Sequence, residues 1–201
     1  MAFTYFFRDS HTLELVVKHV VPEVMGRSRI RIWDAGCAMG PEPYTLAMFF
    51  AEGMGKFAFQ NLHIEASDID ESNNFGEIIA AGIYQTDELS RMPSGMLEKY
   101  FQPMDQLGHF QLIDLIKNRV QFRRHNLLSS KAIGDGFSLI ICKNVLLHFQ
   151  PAERLQVIRM FHQALAPGGF FATEQTQKLP PELSHLFERV VGDAQLFRKV
   201  N

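Results

Sequence analysis

The sequence predicts an α/β fold, a mostly parallel, doubly wound sheet with helices on both faces, and three observations predict it. Short apolar runs alternate along the chain with segments whose apolar residues recur every three or four positions, and no internal repeat interrupts the alternation. The segment Phe137-Ser-Leu-Ile-Ile-Cys142 is almost wholly apolar, as a strand covered on both faces of a parallel sheet must be. Finally, an alternating stretch at 29–34 runs through the glycine-bearing turn Ala35-Gly-Cys-Ala-Met-Gly40 into a segment opened by Pro41 and Pro43, which is strand, tight loop and helix in succession.

Taken in order, Leu13, Val16, Val17, Val20, Val21 and Val24 fall at spacings of three and four after Ser10, an N-cap candidate, and before Gly26, so a helix is expected over 10–25. The strand at 29–34 and the helix from Pro41 to Gly53 follow. Asn61-Leu-His-Ile-Glu-Ala-Ser67 predicts a second strand ending at Asp68-Ile-Asp70, then a helix from about Glu71 to Ala81 stopped by Gly82. Residues 83–118 break the pattern. They hold Tyr84, a helix expected near 94–101 and a Pro-, Gly- and Gln-bearing stretch at 102–108, and are expected to form a small insertion or subdomain. Val120-Gln-Phe-Arg-Arg124 resumes the sheet and leads into Asn126-Leu-Leu128. A helix is expected over 151–166, with Pro151 at its start and Pro167-Gly168-Gly169 beyond its end, then a strand at 170–174 and two short strands within 184–200. In such a sheet ligands bind outside the carboxyl ends of the strands at the switch point, so the loops 35–42, 68–70, 126–128 and 142–148 are expected to converge.

With 201 residues, 46% of them hydrophobic and 21% charged, the chain suits one domain over 1–201. A formal charge of −2 supplies no general attraction to nucleic acid phosphates, and the one dense basic patch is Arg119, Arg123, Arg124 and His125. No apolar run approaches the roughly 18–20 residues that span a bilayer. The first residues hold neither a basic stretch before an apolar segment nor a small-residue cleavage site, which, with only two cysteines, predicts a cytoplasmic protein. The eight histidines show no H-x-x-x-H spacing and the cysteines no C-x-x-C, so no metal is expected. The absence of a G-x-S-x-G elbow disfavours hydrolysis through a serine nucleophile.

The turn from Asp34 to Gly40 puts small residues where backbone must approach a ligand closely. It matches neither G-x-G-x-x-G nor G-x-x-x-x-G-K-[ST], which disfavours a pyrophosphate or a nucleoside triphosphate. Asp68 ends the second strand, about where an acid grips the two hydroxyls of a ribose. Together these point to a nucleoside without phosphates, S-adenosylmethionine being the obvious one, although a glycine turn beside a strand-end aspartate equally suits an α/β fold with no ligand there.

Four ordered stretches narrow the choice: Phe6-Phe-Arg-Asp-Ser-His11; Trp33-Asp-Ala-Gly-Cys-Ala-Met-Gly-Pro-Glu-Pro-Tyr-Thr45; Ala66-Ser-Asp-Ile-Asp70 with Gly82-Ile-Tyr84; and Asn126-Leu-Leu128 with Cys142-Lys-Asn-Val-Leu-Leu-His-Phe149. They resemble the motifs F-F-R-[DE]-x-x, W-x-A-G-C-S-x-G-E-E-P-Y-S, A-[ST]-D-I-D, N-L-L and C-R-N-V-x-I-Y-F of the CheR-type chemotaxis methyltransferases, which methylate glutamates on receptors. The resemblance implies a Rossmann-like class I S-adenosylmethionine-dependent methyltransferase fold with an antiparallel last strand. It also implies S-adenosylmethionine as cofactor, S-adenosylhomocysteine as product, and a chemoreceptor or related signalling protein as methyl acceptor. Carried over by position, it places Thr4, Arg8, Gly36, Glu42, Asp68, Asn126, Leu127, Lys143 and Asn144 around the cofactor, with Arg8 and His148 beside the reacting groups. A non-catalytic cofactor-binding module and a methyltransferase for small molecules are the alternatives.

The assignments have a chemical rationale. Glu42 offers charge-assisted attraction to a sulfonium or an α-ammonium group, and Asn126 carries both a donor and an acceptor for an adenine edge. A glutamate acceptor, with a pKa near about 4.3, is already ionised at neutral pH and needs no general base. The planar fork of Arg8 suits alignment of a carboxylate. The nine Met and eighteen Phe residues are expected mainly in the core, although the aromatic amino-terminal segment Phe3, Tyr5, Phe6 and Phe7 could pack over the cofactor as a lid. Against the motifs, Pro41 replaces the first acid of G-E-E-P-Y-S, Lys143 replaces Arg, and His148 replaces Tyr, keeping a planar polar ring. Thr173-Glu-Gln-Thr-Gln177 stands where the family has a G-H-S-E-like stretch, and the start so close to the F-F-R motif leads us to expect no small N-terminal helical domain.

Overall fold

The structure, a computed structural model, describes residues 4–200. Helix α1 (Ser10–Val24) buries Leu13, Val16, Val17, Val20 and Val24 along one stripe. Strand β1 (Ile30–Ala35), helix α2 (Pro41–Gly53), the single turn α3 (Lys56–Phe59), strand β2 (Leu62–Asp68) and helix α4 (Phe75–Ala81) follow. Within 83–118 lie β3 (Ile83–Gln85), α5 (Thr86–Leu89), α6 (Met96–Tyr100), β4 (Phe101–Pro103), β5 (His109–Leu112) and α7 (Asp114–Lys117). The chain then runs through β6 (Val120–Arg124), β7 (Phe137–Ile141), α8 (Pro151–Ala164), β8 (Leu165–Thr173), β9 (Phe187–Arg189) and β10 (Gln195–Lys199).

Seven strands form one sheet in the order β6-β2-β1-β7-β8-β10-β9, in which the first five are parallel and β10 runs antiparallel to both β8 and β9. The chain moves outward from β1 to β2 and β6 and then returns to β7 on the other side of β1, so the switch point lies between β1 and β7. Both faces are apolar for the reason the sequence pattern indicates. Ile30 and Ile32 of β1 with Leu139 and Ile141 of β7 meet Val16, Val20, Leu46 and Met48 on one side. Trp33 and Ala35 with Phe137 and Ile140 meet Val157, Ile158 and Phe161 on the other. Trp33 is fully buried, its Nε1–H donates to Ser67 Oγ at 2.8 Å, and Phe161 lies edge-on at 5.1 Å, so both the ring and its polar handle are satisfied.

The small antiparallel sheet β3-β5-β4 sits beside the amino-terminal segment. Phe6 is fully buried with edge-on contacts to Tyr84 at 4.8 Å and Phe101 at 5.5 Å, and Phe7 packs edge-on against Phe49 at 5.3 Å. These two rings therefore face the core. Tyr5 lies beside the guanidinium of Arg91, 4.2 Å from its ring centre, and Phe3 falls outside the described residues.

Three boundaries differ from expectation, each for a local reason. Asp9, with φ +52°, is the residue before α1, and Ser10 is already helical. The helix expected from Glu71 starts at Phe75, because both carboxylate oxygens of Asp70 accept from the N–H groups of Asn74 (3.2 Å) and Phe75 (3.1 Å) and hold 70–74 as a capping loop. The strand expected from Phe170 starts at Leu165. Its register against β7 shifts between the pairs Leu165–Phe137 and Phe170–Leu139, so Pro167-Gly168-Gly169 is a bulge inside β8 and not the punctuation after a helix. A Cβ on Gly169 would stand 2.9 Å from the Phe137 carbonyl oxygen, which explains the glycine.

Candidate cofactor site

A cavity of about 610 Å³ opens at the carboxyl ends of β1, β2, β6 and β7. Thr4, Arg8, Gly36, Glu42, Asp68, Asn126, Leu127, Lys143, Asn144 and His148, all the residues selected from the sequence, line it. The four loops expected to converge do so.

The floor is the turn after β1. Gly36 has φ +100°, a conformation that side-chain-bearing residues rarely adopt, and a Cβ there would lie 2.2 Å from Val145 Cγ2. The N–H groups of Gly36 and Cys37 both donate to the Ser67 carbonyl, at 2.7 and 3.1 Å, tying the turn to β2. Asp68 completes the tie, its Oδ2 accepting from the Ala38 N–H at 3.0 Å and its Oδ1 from the Asp70 N–H at 3.2 Å. Asn126 Oδ1 accepts from the Leu128 N–H at 2.9 Å as a local cap, so the acceptor expected to face a ligand is engaged by the chain and the amide N–H groups remain as donors.

A buried ion pair closes the inner wall. Glu42, in the first turn of α2, is 8% exposed and accepts at Oε2 from Lys143 Nζ at 3.0 Å, while its Oε1 is buried without a hydrogen-bond partner. The Lys143 side chain has no exposed surface, and its ammonium also donates to the Arg8 carbonyl at 3.3 Å and lies 3.6 Å from Asp9 Oδ2. Burial pulls the Lys143 pKa down, but the charge and hydrogen bond of Glu42, then Asp9 and Asp34, more than offset it, so the ammonium is held above its ordinary value. Lys143 thus binds Glu42 to the amino-terminal segment.

Asp34 lies behind this pair, fully buried, with neither carboxylate oxygen hydrogen-bonded. Burial first, then the charges of Glu42 and Asp68, raise its pKa well above the usual carboxylate range, against an opposing pull from Lys143. A group whose pKa is raised by folding contributes stability that is complete below its unfolded pKa and is lost as pH rises through the folded value. Asp34→Asn, which cannot ionise, is therefore expected to be more stable than the parent at pH 8 by about 1–3 kcal/mol, with the gap narrowing toward pH 4. Thermal melts across that range check this, and a gap that widens on acidification would refute it. Burial likewise pushes up the thiols of Cys37 and Cys142, both free.

The rim is built by the segment before α1. Phe7 and Asp9 both take positive φ, +60° and +52°, a kink that sends the Phe7 ring to the core and leaves Arg8 on the cavity wall. The Phe7 N–H donates to Thr45 Oγ1 at 3.1 Å, and Arg8 Nη2 donates to Asn144 Oδ1 at 3.0 Å. His148 ends a turn at Leu146–His148 and stands exposed at the mouth, near the exposed Ile69, Leu128 and Leu147. Sequence reading missed Asp9, Asp34 and Glu174, which hold the site without lining it, and His125, which lines it with Nε2 2.8 Å from the Lys131 carbonyl oxygen. Asp9 and Asp34 had a signal in their places inside the first and second motifs, His125 in preceding Asn126-Leu-Leu128 and Glu174 in the Thr173–Gln177 stretch, but none of the four was given a role in the site.

Comparison with known proteins identifies the family. A model of the family described as "CheR methyltransferase, SAM binding domain" matches residues 2–195. The chain belongs to the CheR methyltransferase family. This CheR domain is 29% identical over 194 residues to a probable chemotaxis protein methyltransferase of Rhizobium etli, covering 94% of this chain and 72% of that protein. It is 34% identical over 172 residues to chemotaxis protein methyltransferase 2 of Vibrio cholerae, covering 83% of this chain and 58% of that protein, and 32% identical over 188 residues to methyltransferase 1 of Pseudomonas aeruginosa, covering 88% and 67%. The chain thus spans between 58% and 72% of the length of these relatives. Among solved structures, magnesium protoporphyrin IX methyltransferase of Synechocystis PCC 6803 with bound S-adenosylmethionine shares the fold at a TM-score of 0.52 and 14% identity, over 94% of this chain and 78% of that one. The CheR domain has the class I methyltransferase fold, and S-adenosylmethionine is its cofactor. The cavity suits that molecule: a glycine turn for close approach, an unpaired carboxylate oxygen on Glu42 for a cationic group, and a strand-end acid for a ribose.

Proposed function

We propose that the chain transfers a methyl group to glutamate carboxylates of a chemoreceptor or related signalling protein in the cytoplasm. The observation that carries this reading is the polarity of one cavity, with the carboxylates of Glu42 and Asp68 inside it and Arg8 and His148 toward its rim. The names of the relatives in Rhizobium etli, Vibrio cholerae and Pseudomonas aeruginosa support the class of acceptor.

Bound S-adenosylmethionine supplies an electrophilic methyl group on a sulfonium. Asp68 would accept hydrogen bonds from the ribose hydroxyls while keeping the β1 turn in place. The free Oε1 of Glu42 would face the cationic amino-acid end, where a charge-assisted bond in a drying site is strongest. Asn126 would donate to an adenine ring nitrogen. Arg8, partly exposed, can hold a carboxylate at two points, and His148 at the mouth would meet the incoming peptide. Since the acceptor carboxylate is ionised at neutral pH, these residues act by orientation and exclusion of water, bringing oxygen and methyl carbon to about 3–3.5 Å.

Calorimetric titration tests the cofactor half. Wild-type protein is expected to bind S-adenosylmethionine and S-adenosylhomocysteine, and Asp68→Ala to bind both about 10–100-fold more weakly, the cost of bonds to a charged acceptor. Absence of binding by the wild type would sink the reading. Methyl incorporation into receptor cytoplasmic fragments, lost when candidate glutamates become glutamine, tests the acceptor half; incorporation only into small molecules would overturn it.

A further inference from the structure

A buried acid that the proposed reaction does not use stands one step behind the cavity. Glu174, the residue after β8, is 4% exposed. Its Oε2 accepts two hydrogen bonds, from the Asn144 N–H at 3.0 Å and from the Thr173 hydroxyl at 2.7 Å, and its Oε1 is buried with no hydrogen-bond partner. Asn144 has φ +59°, a left-handed conformation that asparagine tolerates better than most residues but that still has to be held. A carboxylate accepting from that backbone N–H holds it with a charge-assisted bond in a place closed to water. In turn Asn144 Oδ1 accepts from Arg8 Nη2 at 3.0 Å. The order is therefore Glu174, Asn144, Arg8, drawn from the end of β8, the loop after β7 and the segment before α1, and only the last two members line the cavity.

We infer that Glu174 is a positioning residue, fixing the Asn144 turn so that its side-chain oxygen sets the Arg8 guanidinium at the amino-acid end of the cofactor site. This rests on the cofactor occupying the cavity as proposed above. In that placement Arg8 would reach the amino-acid carboxylate that S-adenosylmethionine and S-adenosylhomocysteine share, next to the acceptor carboxylate it aligns in the reaction, whereas 5′-methylthioadenosine keeps the adenosine and lacks the amino-acid part. The three ligands therefore separate a set guanidinium from a generally loosened pocket.

Calorimetry with these three ligands tests the inference. Glu174→Ala is expected to weaken S-adenosylhomocysteine about fivefold to tenfold, the effect of one misplaced hydrogen bond, and to leave 5′-methylthioadenosine within about twofold. Glu174→Gln keeps an oxygen able to accept both bonds and is expected to stay near wild type. In an Arg8→Ala background, Glu174→Ala is expected to add no further loss. Asn144→Ala, which spares the backbone N–H that Glu174 holds, is expected to reproduce the selective loss and carries the test if Glu174→Ala does not fold. Equal weakening of all three ligands, additive losses with Arg8→Ala, or wild-type affinity in Asn144→Ala would each overturn the inference. Wild-type protein that binds none of the three ligands would remove the cofactor reading and this inference with it, whereas the other failures leave that reading standing.

Discussion

Lys143→Met is expected to lower folding stability by about 3–5 kcal/mol, the usual cost of removing one partner from a buried pair. The methionine fills most of the space but leaves the Glu42 carboxylate, 8% exposed, without the ammonium at 3.0 Å, and leaves Asp9 and the Arg8 carbonyl without their anchor. For a chain of this length that corresponds to a fall of roughly 6–20 °C in melting temperature. The double variant Lys143→Met with Glu42→Gln is expected to recover much of the loss, because the uncompensated charge and not the missing volume is what destabilises. Calorimetric melts of the two variants decide it: a single variant that melts within 2 °C of wild type, about what 1 kcal/mol produces, would show the pair to be dispensable.

The second large effect is expected at Gly36. Alanine there meets two obstacles at once, a φ of +100° and a Cβ 2.2 Å from Val145 Cγ2. Left-handed strain costs about 1–2 kcal/mol and overpacking about 1–3 kcal/mol, so Gly36→Ala is expected to lose about 2–5 kcal/mol. Relieving the clash by moving the turn would pull the Gly36 and Cys37 N–H groups from the Ser67 carbonyl, so cofactor affinity is expected to fall with stability. Adding Val145→Ala removes the collision but not the strain and is expected to restore part of both. Denaturant melts with cofactor titration check this, and full rescue by Val145→Ala would show that backbone conformation at Gly36 matters little.

What was legible in the sequence, and what was not, divides by the range of the interaction. The all-apolar run at 137–142 and the strand-glycine turn-helix succession at 29–53 are local signals, and β7, β1 and α2 appear where those signals put them. The start of α4 was hidden because Asp70 offers the backbone an alternative to helix, and Pro167-Gly168-Gly169 serves either as a helix stop or as a bulge until the facing strand is known. The cavity residues were legible because ordered motifs carried them. The contacts among them were not: Lys143 meets Glu42 across 101 positions of chain and Arg8 meets Asn144 across 136, distances no periodicity encodes. The kink at Phe7 and Asp9, which sends aromatic rings inward and Arg8 to the wall, depends likewise on the Thr45 hydroxyl.

That separation also has a bearing on kinetics. Closing a loop costs entropy that grows with its length, so a contact across more than a hundred residues costs least once another contact has already closed the same loop. Pairing of Ile32 with Leu139 closes such a loop between β1 and β7, and the Arg8–Asn144 and Lys143–Glu42 contacts, which join segments flanking the same two strands, are expected to follow it. In hydrogen exchange the amides of the 4–9 segment and the 143–148 loop are accordingly expected to open at free energies below that of the whole molecule. A ligand that joins these two segments would then raise their protection more than that of the sheet, completing the least protected part of the fold.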